Sequence, residues 1–241
     1  STLLNLQEYR DAMALLVKTI SIQSIDPSDL LLMTKTQLDW IDKHLKDHKV
    51  GEFLVYQLVV AYVSEKGIDH FSEISPVYEC WVKSGSYRQA FDELYARWDK
   101  IACGREIPEI ELLNVEGEIV KLTDFKGKYI YIDVWGSTCP PCRKELLFLK
   151  VLEKDFMGKN ILFLSVSTDR NKQAWKKAIQ EDGLSGHLFV PRDLKKFMDI
   201  FQIRLIPRFI LLDRDLKIIT ANMMAPSDPV TRVCLHRLEW I

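Results

Sequence analysis

The chain has 241 residues, 47% hydrophobic and 28% charged, a composition that excludes a disordered chain and suits one large domain or two ordinary ones. Its formal net charge of -1 lacks the basic excess that a nucleic-acid partner calls for. The longest apolar run, Phe53 to Val63 with a Gln inside, is too short to cross a bilayer, and no charged n-region with an apolar core opens the chain at Ser1. The sequence therefore reads as cytosolic, or as a form from which a signal or anchor segment is absent.

Residues 1–103 read as helical throughout, with few Gly or Pro and no strand alternation. Leu3, Leu6, Tyr9, Met13, Leu16, Val17 and Ile20 recur at three- and four-residue spacing and mark one apolar face. Asp26-Pro27-Ser28-Asp29 ends that element and caps the next. Leu38, Ile41, Leu45 and His48 form a second stripe, and Phe53 to Glu65 a third helix stopped at Gly67. Ile68 to Val82 is expected to be broken by Pro76. Ser84-Gly85-Ser86 then turns the chain into Tyr87 to Ile101, with Phe91, Leu94, Tyr95 and Trp98 on one side. His44 and His48 stand four apart on the predicted helix, but Leu45 occupies the place where a zinc-protease motif needs Glu, so they read as solvated or core-flanking. No motif that carries chemistry precedes Cys103-Gly104-Arg105-Glu106-Ile107-Pro108, where Gly and Pro punctuate the end of the helical period. The expected division is a helical domain, residues 1–103, and an α/β domain, residues 104–241.

Beyond the junction the period changes. Ile110 to Val115 and Glu118 to Leu122 flank Glu116-Gly117, a hairpin signal. Tyr129 to Trp135 is a buried strand, Lys144 to Met157 a helix, and Ile161 to Val166 a second buried strand. Asn171 to Asp182 is a helix capped by Gly183, Leu188 to Val190 is short and extended, and Asp193 to Phe201 is helical. Phe209 to Leu212 and Ile218 to Asn222 flank Asp213-Arg214-Asp215-Leu216 as an antiparallel hairpin, and Ser227-Asp228-Pro229 caps a final helix from Val230. Alternation of this kind predicts an α/β fold, a mixed sheet with helices on both faces.

The chain is organised around Trp135-Gly136-Ser137-Thr138-Cys139-Pro140-Pro141-Cys142-Arg143-Lys144-Glu145, where a strand hands over to a helix. A thiolate is favoured at a helix N-terminus by unpaired N–H groups and the dipole, so Cys139 is read as the nucleophile. The two-residue spacing lets Cys142 reach back within one helical turn as the resolving thiol. Pro140 and Pro141 suit the first turn, where a missing N–H costs no intrahelical bond. A metal site usually needs a second Cys or His pair, and no second CxxC exists; no metal and no cofactor is expected. Asp133, six residues before Cys139, sits inside an apolar strand where burial raises a carboxyl pKa toward the range useful for moving protons near neutral pH. Glu145 falls one helical turn after Cys142 and reads either as a second proton handler or as a first-turn acid that complements the dipole. Of the five cysteines, Cys80, Cys103 and Cys234 remain; free cysteines are commonly small buried apolar residues, which is the expectation here, with a Cys80–Cys103 bridge left open.

From Gly104 to Ile241 these pieces, together with Tyr131-Ile132-Asp133-Val134-Trp135 and Ile206-Pro207-Arg208-Phe209-Ile210-Leu211-Leu212-Asp213, resemble the thioredoxin superfamily, and within it the TlpA/ResA-like branch of membrane-anchored or envelope thiol-disulfide oxidoreductases. The sequence departs from that pattern at Thr138, where Trp is frequent, at Pro140, and at Leu205, where Gly often precedes Ile-Pro. The resemblance implies a thioredoxin-like fold, a proton-handling role for Asp133 toward Cys142, an acidic residue at the place of Glu145, and a cis Ile206–Pro207 bond set against the cysteines to pair with an extended substrate. Trp135, Pro140 and Pro141 would then border the substrate, with Trp135 packed near the active-site turn and shielding the disulfide. It also implies a bacterial envelope or periplasmic location. Protein disulfides are the expected substrates and another thiol protein the upstream reductant, since no nicotinamide or flavin fingerprint is present. A reductase is preferred on two grounds: prolines that withhold N–H donors from the Cys139 thiolate, and the potentials that go with thiol pKa. The alternatives are an oxidase or isomerase, or a non-enzymatic binding protein with a structural disulfide; the peroxiredoxin signature Pro-x-x-x-Thr-x-x-Cys is absent.

Overall fold

The computed structural model describes residues 29–238 and, before them, residues 11, 13–15, 17 and 19. Most of the first expected stripe (Leu3, Leu6, Tyr9, Leu16, Ile20) and the cap at 26–28 lie outside the described residues; Met13 and Val17 are helical, and Val17 is buried. The chain divides into two compact units, Ser1–Lys100 and Ile101–Ile241.

In the first unit, helix α1 (Leu30–His44) is capped by Asp29, which accepts from Leu32 N, and helix α2 (His48–Lys66) by Asp47, which accepts from Lys49 N and Val50 N. The expected stripe from Leu38 to His48 is thus two elements, because Leu45 is extended and Asp47 restarts the helix. His44, the last residue of α1, stacks on Trp40, and His48, the first of α2, packs on Trp81, so the two do not share one helical face. The stretch from Ile68 to Val82 is broken at Pro76 as expected: a short 3-10 turn, Phe71–Glu73, precedes helix α3 (Ser75–Trp81), and Pro76 sits in the first turn of α3, where a missing N–H has no partner to lose. Helix α4 (Gly85–Asp99) starts at the glycine read as a turn. Gly51 permits the closest packing in this unit, for a Cβ there would lie 2.1 Å from the Trp81 ring.

The second unit is a seven-stranded sheet in the order β2-β1-β5-β4-β3-β6-β7, with β1 Glu111–Leu113, β2 Ile119–Lys121, β3 Tyr129–Trp135, β4 Ile161–Ser167, β5 His187–Pro191, β6 Arg208–Leu212 and β7 Ile218–Thr220. β3 lies parallel to β4 and antiparallel to β6, and all seven of its residues are buried. Side chains alternate along it. Tyr129, Tyr131 and Trp135 join a core with Cys142, Leu146 and Leu149 of helix α5 (Pro140–Asp155), Trp175 of helix α6 (Lys172–Glu181) and Leu235 of helix α8 (Pro229–His236). Phe197 and Phe201, in and just after helix α7 (Leu194–Ile200), are buried outside that core. The architecture is the mixed α/β sheet flanked by helices that the alternating pattern predicts.

We propose that the units are separate domains, with the helical one dispensable for chemistry. Residues 101–241 produced alone are expected to melt cooperatively and to reduce insulin; an insoluble or inactive fragment defeats this division.

Candidate active site

β3 ends at Trp135 and α5 begins at Pro140, four residues earlier than the expected start at Lys144. The difference is a matter of capping. Cys139 is itself the N-cap, with its sulfur accepting from Cys142 N at 3.3 Å, and the prolines fill the first turn. Cys139 N is turned back to Gly136 O at 3.0 Å. With no N–H on either proline, Cys142 N is the donor that reaches the Cys139 sulfur. The sulfurs are joined in a disulfide. Cys139 is half-buried and Pro140 and Pro141 are exposed, whereas Cys142 is 0% exposed, so the first cysteine reaches the surface and the second does not.

Asp133 sits in β3, an interior strand of the sheet, on the face that also presents Tyr131 and Trp135. It is 1% exposed; Oδ2 sits 3.5 Å from the Ser165 hydroxyl, and Oδ1 has no hydrogen-bond partner. Burial pushes its pKa up to about 8, against the lowering effect of Ser165 and with smaller upward contributions from Glu145 and Glu153 on α5. Such a carboxyl exchanges a proton near neutral pH.

Three contacts frame the loop between β3 and α5. The Asp169 carboxylate, just beyond β4, accepts from Ser137 N and Ser137 Oγ, each at 2.8 Å, and from Ser167 Oγ at 2.6 Å. Thr168 binds Trp135 O through both its backbone N at 2.8 Å and its hydroxyl at 3.1 Å. On the other side Ile206–Pro207 is cis, and Ile206 O lies 3.9 Å from Cys139 Sγ. A Cβ on Gly136 would stand 3.2 Å from Ile206 Cδ1 and 3.3 Å from Thr168 Oγ1, so the two loops touch through a residue without a side chain. Leu205 is 77% exposed beside them. Glu145 accepts from Ser227 N at 3.0 Å and Ser227 Oγ at 2.7 Å, which ties α5 to the segment leading into α8.

The structure thus gathers Cys139, Cys142, Pro140, Pro141, Ile206 and Pro207 at one edge, with Glu145 one turn along; Asp133 shares its sheet face with Tyr131 and Trp135, which pack in one core with Cys142. Trp135 is the correction: at 0% exposure its side chain offers no surface to a substrate and backs the disulfide from the core. Cys80, Cys103 and Cys234 are free thiols, and Cys80 and Cys103 are exposed, not buried apolar residues as expected. Sequence reasoning passed over Asp169, Ser167 and Thr168; a polar cluster directly after a buried strand, at the strand ends where α/β sites form, was the signal. Among the described residues no group of three or more His, Cys, Asp or Glu is placed to hold a metal, and no helix is long and apolar enough to cross a membrane.

The Redoxin family profile matches residues 102–232. Curated relatives include the thiol-disulfide oxidoreductase ResA of Bacillus anthracis, 25% identical over 129 residues covering 54% of this chain and 74% of that protein. Among solved structures, the thioredoxin domain of a thiol-disulfide oxidoreductase from Bacteroides vulgatus is 32% identical with a TM-score of 0.52, covering 56% of this chain and 96% of that one. A thiol:disulfide interchange protein from Bacteroides sp. is 30% identical with a TM-score of 0.53, covering 58% and 91%. The chain belongs to the Redoxin family, as a TlpA/ResA-like thiol-disulfide oxidoreductase of the thioredoxin superfamily.

Proposed function

We propose that this enzyme reduces disulfides in protein partners through its Cys139-Pro140-Pro141-Cys142 dithiol. The observation that carries the reading is the asymmetry of the pair: a half-buried Cys139 with one backbone donor and a fully buried Cys142. In the reduced enzyme the Cys139 thiolate attacks one sulfur of the partner's disulfide. An S–S bond forms between them and the partner's second sulfur leaves as a thiolate. Cys142 gives its proton to the Asp133 carboxylate and attacks Cys139, closing the enzyme disulfide and releasing the partner's first sulfur. Two electrons pass to the partner, whose two thiolates take up protons. Burial of Asp133 with a free Oδ1, on the face that presents Cys142, supports this proton route. Exposed Pro140, Pro141 and Leu205 and the half-buried Ile206–Pro207 edge support an extended partner segment lying across Cys139. Glu145, bound by Ser227, is suited to hold α5 beside that edge. An upstream thiol protein restores the dithiol. The ResA-like resemblance supports a bacterial envelope site; recovery in the cytosolic fraction after osmotic shock would reject it.

Cys139→Ser is expected to abolish turnover, while Cys142→Ser accumulates a mixed disulfide visible on a non-reducing gel; equal trapping by both reverses the assignment. Direction is read from the reduction potential, expected nearer roughly -270 mV than roughly -120 mV in glutathione or dithiothreitol buffers. A value at the oxidising end makes the enzyme an oxidase.

Asp133→Asn separates chemistry from stability. Resolution of the mixed disulfide should quicken as pH rises toward about 8 in the wild type, and stopped-flow traces of the variant should lose that rise. Stability moves the other way. Between the ordinary carboxylate range and about 8 the native state keeps a proton that the unfolded chain has released, so wild-type stability falls as pH rises through that window. The variant escapes this loss and is expected to exceed the wild type by roughly 1–3 kcal/mol at alkaline pH and by little near pH 4, read from urea midpoints. Parallel pH dependence in both proteins would remove Asp133 from the proton route and from the stability change.

A further inference from the structure

We propose that Asp169 is a positioning residue for disulfide exchange: its carboxylate clamps the loop before Cys139 and, by its charge, keeps the Cys139–Cys142 disulfide from becoming more oxidising. This rests on the exchange reading above and adds the group that sets its poise. Asp169 accepts three hydrogen bonds, two from Ser137 and one from Ser167, and its own N–H is bound by Ser167 Oγ at 3.1 Å. A carboxylate fork on one backbone N–H and one hydroxyl of the same residue fixes both the position and the orientation of Ser137.

That residue stands two before Cys139, so the carboxylate is bound at 2.8 Å to a residue whose Cα lies within about 7 Å of the Cys139 Cα along the chain. Its second effect is on donors. Ser137 N is committed to Asp169, Cys139 N to Gly136 O, and the prolines have none, which leaves Cys142 N on the sulfur. A nearby carboxylate and a shortage of donors both disfavour a thiolate, and a dithiol whose thiolate is less stabilised belongs to a less oxidising disulfide. Two charges of α5 are engaged elsewhere: Arg143 with Asp182 and Glu181, and Glu145 with Ser227.

The test is the equilibrium of the full chain with glutathione at fixed pH, in which the enzyme disulfide and two glutathione thiols give the enzyme dithiol and one glutathione disulfide. Asp169→Asn keeps the side-chain volume and removes the charge. Its constant is expected to shift toward the dithiol by about three- to tenfold, up to about 30 mV more oxidising. Ser137→Ala keeps the carboxylate and the backbone bond; it is expected to stay within about twofold in the constant while slowing attack on an added disulfide several-fold. A folded Asp169→Asn with an unchanged constant overturns the proposal. Should that variant fail to fold, Ser137→Ala and Ser167→Ala decide it, and wild-type attack rates in both overturn it. A wild-type pair that never exchanges with glutathione sinks the exchange reading itself, and the clamp with it; exchange in the wild type with no response to Asp169→Asn sinks the clamp alone.

Discussion

Everything at the active edge depends on the complete burial of β3. Seven consecutive buried residues give the strand no freedom to slip, because a shift of one residue would exchange its two faces. The end of the strand therefore delivers Gly136 to Cys139 to one place, and the next helix starts there. The same burial puts a carboxylic acid where ionisation is costly. A residue that weakens the sheet is thereby turned into one that trades a proton near neutral pH.

The two sulfurs are made unequal by the fold and not by their chemistry. Cys139, as N-cap, stays at the surface; Cys142, one turn on, falls on the apolar stripe of α5 with Leu146 and Leu149. Helical spacing alone sends the second cysteine inward. The result is a pair in which one cysteine reaches the surface and the other packs into the core on the buried acid's side of the sheet.

Remote segments then hold the short loop and the start of α5 in place. Asp169 at the end of β4 grips Ser137, the Ile206–Pro207 bend closes over Gly136, and Ser227 ahead of α8 grips Glu145. Arg143 adds a fourth tie, its Nε 2.7 Å from Asp182 at the end of α6. A loop braced from several elements loses little further freedom when a partner docks, which is what reaction between closely placed sulfurs requires.

The alternation of strands and helices, the buried run of β3, the CxxC at a helix start and the acid inside the strand were legible in the sequence, since each is a local pattern of period, capping or polarity. Local patterns also misled. Leu45 to His48 continued an apolar spacing that Asp47 in fact interrupts, and Trp135 carried a substrate role that its burial removes. What only the tertiary structure decided is which distant groups meet: Ser137 with Asp169 across 32 positions, Cys139 with Ile206 across 67, Glu145 with Ser227 across 82. Periodicity says which face a side chain takes, but the partner of a polar group in a loop is set by where other strands and helices end, and that is fixed only when the sheet has assembled.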